Sequence, residues 1–177
     1  MTDTVTRPPA ARTTAKWWHS QAPAGPSRRA LLQSTIVALA GLSALVAVGD
    51  TLHLALLAPP LAATAVIIAG APASPPAQPR SVLAGHLLSA VIGLAAVALL
   101  GVSPWTAAIA GGLSLTAMSL ARAVHAPAAA TAALIVAEHP AVLRTLELFA
   151  AGSVVLILIG CLAASLSRSS RYPAYWW

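Results

Sequence analysis

The chain has 177 residues, of which 58% are hydrophobic, 5% aromatic and only 8% charged, and its mean hydropathy is +0.82. A soluble domain carries about 25% charged residues, so a soluble enzyme is excluded, and the apolar mass of Ala, Leu, Val and Ile is that of closely packed membrane helices. The net charge of +6 resides in the tails, because Arg80, Arg122 and Arg144 balance Asp50, Glu138 and Glu147 in the middle of the chain.

Residues 1–27 are rich in Pro, Thr, Ala and Ser and have no hydrophobic period; they are expected to form a disordered basic tail. Trp17 and Trp18 belong at a membrane interface, and Arg28 and Arg29 anchor the span that follows. A transmembrane domain is expected over residues 28–165, with a short basic and aromatic tail over 166–177. Four apolar blocks, at about 30–49, 81–101, 104–123 and 145–165, are long enough to cross a bilayer at 1.5 Å per residue. Gly101 to Pro104 join two of them as a tight antiparallel pair.

Two further apolar segments, 51–72 and 124–140, are interrupted by Pro59-Pro60 and by His125-Ala126-Pro127. Proline removes a backbone donor and clashes with the preceding turn, so each segment is predicted to hold a short helix that starts at its proline. Pro60-Leu61-Ala62-Ala63-Thr64-Ala65 matches Pro127-Ala128-Ala129-Ala130-Thr131-Ala132 at an offset of 67 residues. Each copy follows a long span and precedes another. The fold class is therefore all-α, a membrane helical bundle of two repeats of span, proline-started half-helix and span. Six crossings would put nine of the ten Lys and Arg on the side of the termini, against seven for four crossings with re-entrant half-helices. The positive-inside rule favours six, with both termini cytoplasmic.

Three crossings per copy would invert the repeats and turn the half-helix N-termini toward each other near the midplane. Helix N-termini bind anions through unpaired N–H groups and a partial positive charge. The candidate binding residues are Pro60, Ala62, Ala63 and Thr64 in one copy and Pro127, Ala129, Ala130 and Thr131 in the other. Either threonine can instead bond its own backbone one turn earlier. His86, inside a span, is a candidate for substrate contact or proton coupling, or else a neutral group bonding a neighbouring helix. His125 either reaches a half-helix N-terminus or lines a turn at headgroup level. Arg80 draws anions to the pathway or anchors the next span. Arg144 and Glu147, spaced i, i+3, are expected to pair. Gly111, Gly112 and Ser114 are expected at close helix contacts within or between protomers.

The one cysteine, Cys161, excludes an internal disulfide framework and a Cys-based zinc site, and the scattered His and carboxylates have no metal-ligand spacing. No cofactor, nucleic-acid partner or enzymatic activity is expected. The basic residues flank apolar blocks and do not build a nucleic-acid patch.

Ala58-Pro59-Pro60-Leu61-Ala62-Ala63-Thr64-Ala65, followed by Gln78-Pro79-Arg80 and Gly85-His86, resembles the HPP family of integral membrane proteins. That family is named for a His-Pro-Pro motif ahead of small residues and a threonine. The corresponding stretch here is His125-Ala126-Pro127-Ala128-Ala129-Ala130-Thr131, with Ala126 in place of the first proline. The resemblance covers about residues 28–165. Plant and cyanobacterial members are implicated in nitrite transport, and some bacterial members carry CBS domains, for which this sequence has no room. The resemblance implies a transporter or channel for a small monovalent anion, nitrite foremost. The alternative is a non-transporting scaffold or accessory subunit. Membrane lipids and further copies of the chain are the other expected partners, and the Ala- and Pro-rich composition points to a bacterial plasma membrane.

Overall fold

The computed structural model describes residues 24–167 and 171–176, and all of their regular structure is helical. Most of the expected N-terminal tail, with Trp17 and Trp18, lies outside the described residues, as does Arg168. In chain order the elements are α1 (Arg28–Leu52), α2 (Pro59–Gly70), a 3-10 turn (Pro75–Ala77), α3 (Pro79–Leu100), α4 (Pro104–Leu120), α5 (Ala126–Glu138) and α6 (Val142–Leu166).

Proline occupies the first or second position of α2, α3, α4 and α5, where its missing N–H has no intrahelical partner to lose. Ser27 and Ser103 cap α1 and α4 through their hydroxyls. His53 and His139 end α1 and α5 in left-handed conformations. The two short helices are as predicted, 12 and 13 residues long. α1, α3 and α6 are long and apolar enough to cross a membrane. The remaining predicted span is shorter than expected. α4 stops at Leu120, because the chain turns at Arg122 with φ of 53°, and its 17 residues cover about 25 Å.

Three contacts fix the helix directions. A groove bordered by Ser27, Arg29, Gly70, Pro72 and Ser167 gathers the start of α1 and the ends of α2 and α6. Arg80 Nη2 donates to the Ala121 carbonyl at 2.7 Å, tying the start of α3 to the end of α4. Arg144 Nη2 donates to the His53 carbonyl at 2.7 Å, tying the end of α1 to the start of α6. Successive helices therefore alternate in direction. One face, the terminal face, holds Arg28, Arg29, Arg80, Arg122 and Arg171. The opposite, distal face holds Arg144 with Asp50, Glu138 and Glu147. Arg144 and Glu147 approach to 3.8 Å with both side chains about half exposed, the expected i, i+3 pair. Between the faces the outer surface is apolar, with Leu99, Trp105, Leu158 and Leu166 exposed, as a lipid-facing belt requires.

α3 packs against α4, α5 and α6, while α1 packs against α2 and α6. Glycine permits the closest approaches. A Cβ on Gly93 would stand 2.8 Å from the Ala132 carbonyl and 3.1 Å from Ile135 Cβ, and one on Gly160 would stand 2.8 Å from Ile68 Cγ2. Both residues of the Gly93–Ile135 contact are displaced by 67 positions from those of Gly160–Ile68. Of the small residues expected at contacts, Ser114 is buried, Gly111 reaches only ordinary distance from the Ala129 carbonyl, and Gly112 faces open space. Within the chain, tight glycine contacts lie on α3 and α6, the two helices at the centre, and on α1, where Gly41 meets Leu156.

The C-terminal segment is more than a tail. Tyr172 is 7% exposed and lies over Gly160. Gln78, fully buried, donates from Nε2 to the Pro72 and Ser74 carbonyls and accepts at Oε1 from the Ala174 N–H at 2.8 Å. One side chain thus clasps the α2–α3 connection to residues 96 positions away.

In a Cys161→Ser background, Gly25→Cys and Ala73→Cys are expected to react with an impermeant maleimide from one side of the membrane and Val102→Cys from the other. Labelling of Ala73→Cys from the side opposite to Gly25→Cys, with Val102→Cys on the same side as Gly25→Cys, would mean that α2 is re-entrant and does not complete a crossing. Gly93→Ala forces a Cβ against backbone and is expected to destabilise the protein by about 1–3 kcal/mol, read as a fall in melting temperature in detergent.

Candidate functional site

Inside the bundle, α2, α3 and α5 bring three of the candidate residues together with a fourth from the turn before α5. Thr64 lies one turn into α2, with its Oγ1 2.9 Å from His86 Nε2 and 2.8 Å from His125 Nε2. The opposite nitrogen of His86, Nδ1, is 2.8 Å from Thr131 Oγ1 on α5. His125 Nδ1 donates to the Pro76 carbonyl at 2.7 Å. Thr64 also donates to the Pro60 carbonyl at 2.9 Å, the local bond expected of a threonine in a membrane helix. Thr64, His86, His125 and Thr131 are all 0% exposed.

Close packing holds the two rings in place. Gly85 lets α3 approach so near that a Cβ there would stand 2.7 Å from His125 Cβ. The two imidazoles meet edge to face with centroids 4.9 Å apart. Phe149 of α6 stacks on the other side of His86 at 5.5 Å and 16°. No carboxylate takes part, and among the described residues no group of His, Cys, Asp and Glu is arranged to hold a metal.

A pocket of about 360 Å³ opens from the distal face toward this cluster. His53, Glu138 and Arg144 stand at its mouth, and Ala58 and Pro59 at the start of α2, with Phe149, line its inner end. The first turn of α2 has no acidic residue; Pro59 and Pro60 have no N–H and the Ala62 N–H donates to the Ala58 carbonyl, so the aligned peptide dipoles of the helix are what give this end of the pocket a positive potential. The ring of Phe149 separates the pocket from His86.

Several expectations change in detail. Thr64, in the second turn of α2, bonds His125, the N-cap of α5. The two half-helices run oppositely and overlap by about a turn, so their N-termini pass each other and do not meet end to end. Packing a buried face of α2 against a buried face of α5 requires that overlap. Pro60 and Pro127 are buried on the shared face, whereas Ala63 and Ala130 are exposed and Ala62 and Ala129 half-buried. The helical period puts Thr64, four residues after Pro60, on the inner side and the alanines between them elsewhere. His125 is an interior group and not one lining a turn at headgroup level. Arg80 braces α4, and Gln78, beside it, was invisible as a clasp because its partners are backbone groups far along the chain.

The model of the HPP transmembrane region matches residues 23–173. Two Dictyostelium discoideum proteins, each named only as a transmembrane protein, are 35% and 36% identical to this chain over 124 residues. Each alignment covers 66% of this chain, but only 40% of the first relative and 44% of the second. The chain thus spans less than half the length of these relatives. No solved structure matches it.

Thr64→Val removes a hydroxyl shared by two buried imidazoles and leaves polar groups without partners. It is expected to cost about 1–3 kcal/mol, read as a lower melting temperature, with most of the loss restored by Thr64→Ser. An unchanged melting temperature for Thr64→Val would mean that these bonds do not hold the cluster.

Proposed function

The chain belongs to the HPP transmembrane-region family, and on that footing we propose that it is a transporter or channel for a small monovalent anion, nitrite foremost. The observation that carries this reading is the buried cluster of Thr64, His86, His125 and Thr131. It is a set of uncharged hydroxyls and titratable imidazoles without a carboxylate, behind a pocket with positive potential at its inner end. Hydroxyl and imidazole N–H groups replace the hydration shell of a small anion, and the lack of acidic neighbours avoids repelling it. The family resemblance supports nitrite among such anions.

The repeat supports a transport architecture. The paired contacts Gly93–Ile135 and Gly160–Ile68, each joining a long helix to the short helix of the other copy, fit two inverted copies of span, half-helix and span. Alternating access in inverted-repeat transporters moves one such unit against the other. The terminal face, with its five described arginines, fits the cytoplasmic side. The composition favours a bacterial plasma membrane, and the apolar outer surface of α4 with Gly112 offers a contact for a second copy.

A non-transporting scaffold is the second reading. It draws on one observation: every imidazole nitrogen in the cluster already has a protein partner, as in a purely structural clasp.

Purified protein in proteoliposomes is expected to carry nitrite at rates above protein-free vesicles. Thr131→Val, which deletes one neutral hydrogen bond at His86, is expected to lower transport roughly five- to a hundredfold. Nitrite movement equal to that of empty vesicles would sink the transport reading and leave the scaffold.

A further inference from the structure

The partners around one oxygen offer its hydrogen two places. The Thr64 hydroxyl has one hydrogen to donate and two lone pairs, and three partners surround it: the Pro60 carbonyl, His86 Nε2 and His125 Nε2. A carbonyl only accepts, so the Thr64 hydrogen goes to Pro60 and both imidazoles present N–H to the oxygen. His86 is neutral in this pattern, because its Nδ1 accepts the Thr131 hydrogen. His125 lacks that freedom. Its Nδ1 faces the Pro76 carbonyl at 2.7 Å, which also only accepts. Making all three bonds at Thr64 at once therefore needs hydrogen on both nitrogens of His125, an imidazolium. With His125 neutral, the Thr64 hydrogen turns from Pro60 to His125 Nε2 and the Pro60 bond is given up. Thr64 thus acts as a rotor between two protonation states.

Among the described residues the charge of the protonated state has no acidic partner. Around His125, α2 presents Thr64, the 3-10 turn presents the Pro76 carbonyl, and α3 presents His86 and, nearer its start, Arg80. α4 presents Met118, the turn before α5 carries Arg122, and α6 reaches the cluster through Phe149 on His86. Gln78 lies on the terminal side, bonded to the Ala174 N–H. None of these is acidic, and Asp50, Glu138 and Glu147 belong to the distal face. A buried cation without a counter-charge is strongly disfavoured, so a negative charge must accompany the proton. Among the described residues three buried hydroxyls have no partner: Tyr172 in the C-terminal segment, Ser89, one turn beyond His86 on α3, and Ser153, one turn beyond Phe149 on α6. Ser89 and Ser153 are thus donors on α3 and α6 that a bound anion could satisfy.

We propose that the site takes up its anion together with one proton, held on His125, so that the two ions of a weak acid bind as a neutral pair. This rests on the anion reading above and adds the co-ligand to it. Linkage makes the coupling reciprocal: the anion raises the affinity of His125 for the proton, and the proton raises the affinity for the anion.

Nitrite titrated calorimetrically into the purified full chain, in two buffers of different ionisation heat at neutral pH, tests this. The expected result is uptake of one proton per nitrite bound, with Kd rising about tenfold per pH unit above neutrality. His125→Gln is expected to bind nitrite more weakly, with no proton uptake and no pH dependence, while Thr64→Ser keeps both. Nitrogen NMR of histidine-labelled wild-type protein adds a readout that needs no variant: nitrite is expected to convert one ring from a neutral to a doubly protonated pattern. Binding of nitrite without proton uptake, or without that conversion, overturns the proton assignment and leaves the anion reading standing. No binding of nitrite to the wild type at any pH overturns both.

Discussion

A bilayer interior offers no water to satisfy a polar group, so every donor and acceptor within it must find a partner in the protein. The rest of this structure follows from how two half-length helices meet that demand. α2 and α5 each fall short of a full crossing, and the backbone around their ends would otherwise be stranded. They overlap where each is short of length, and at the overlap side chains replace missing helical turns. Thr64 and Thr131 are bound through the ring of His86, and His125 spans from Thr64 to the Pro76 carbonyl. The proline that makes each helix short is also what leaves room for an imidazole.

Glycine and charge placement serve the same constraint. Gly85 and Gly93 let α3 come close enough to α5 for the rings to reach their partners, and Gly152 and Gly160 do the same for α6 against α2. Charged groups are kept to the faces. The acidic residues Asp50, Glu138 and Glu147 sit with Arg144 and His53 on one side, and among the described residues the charged groups of the other are arginines. The interior is left polar but without fixed charge, which separates it from cation pathways built on membrane carboxylates.

Much of this was legible in the residues because period and punctuation are local. Pro59-Pro60 and Ala126-Pro127 marked the starts of the short helices, and the matched threonines marked their inner faces. What was not legible depended on relative displacement. Nothing in the sequence says how far α2 slides past α5, so facing N-termini were as reasonable as overlapping ones until Thr64 was seen against His125. The place of His125 was hidden for the same reason, since its partners come from α2, α3 and the turn before α3. Arg80 was half legible: a cation at a helix start is a familiar anchor, but its acceptor, the Ala121 carbonyl, lies 41 residues on, at the far end of the α3–α4 hairpin. Gln78 and Tyr172 carried no local signal, because their contacts join positions nearly a hundred residues apart.

The clasp at Gln78 has a consequence for the order in which the molecule is made. Its side chain holds the α2–α3 connection from one direction and the backbone at Ala174 from the other. α3 and its clasp enter the membrane long before residue 174 leaves the ribosome. Through that interval the Oε1 of Gln78 lacks its final donor, and Gly160 lacks its cover of Tyr172. The terminal side of the bundle is thus completed only after α6 has been inserted and its trailing segment folds back.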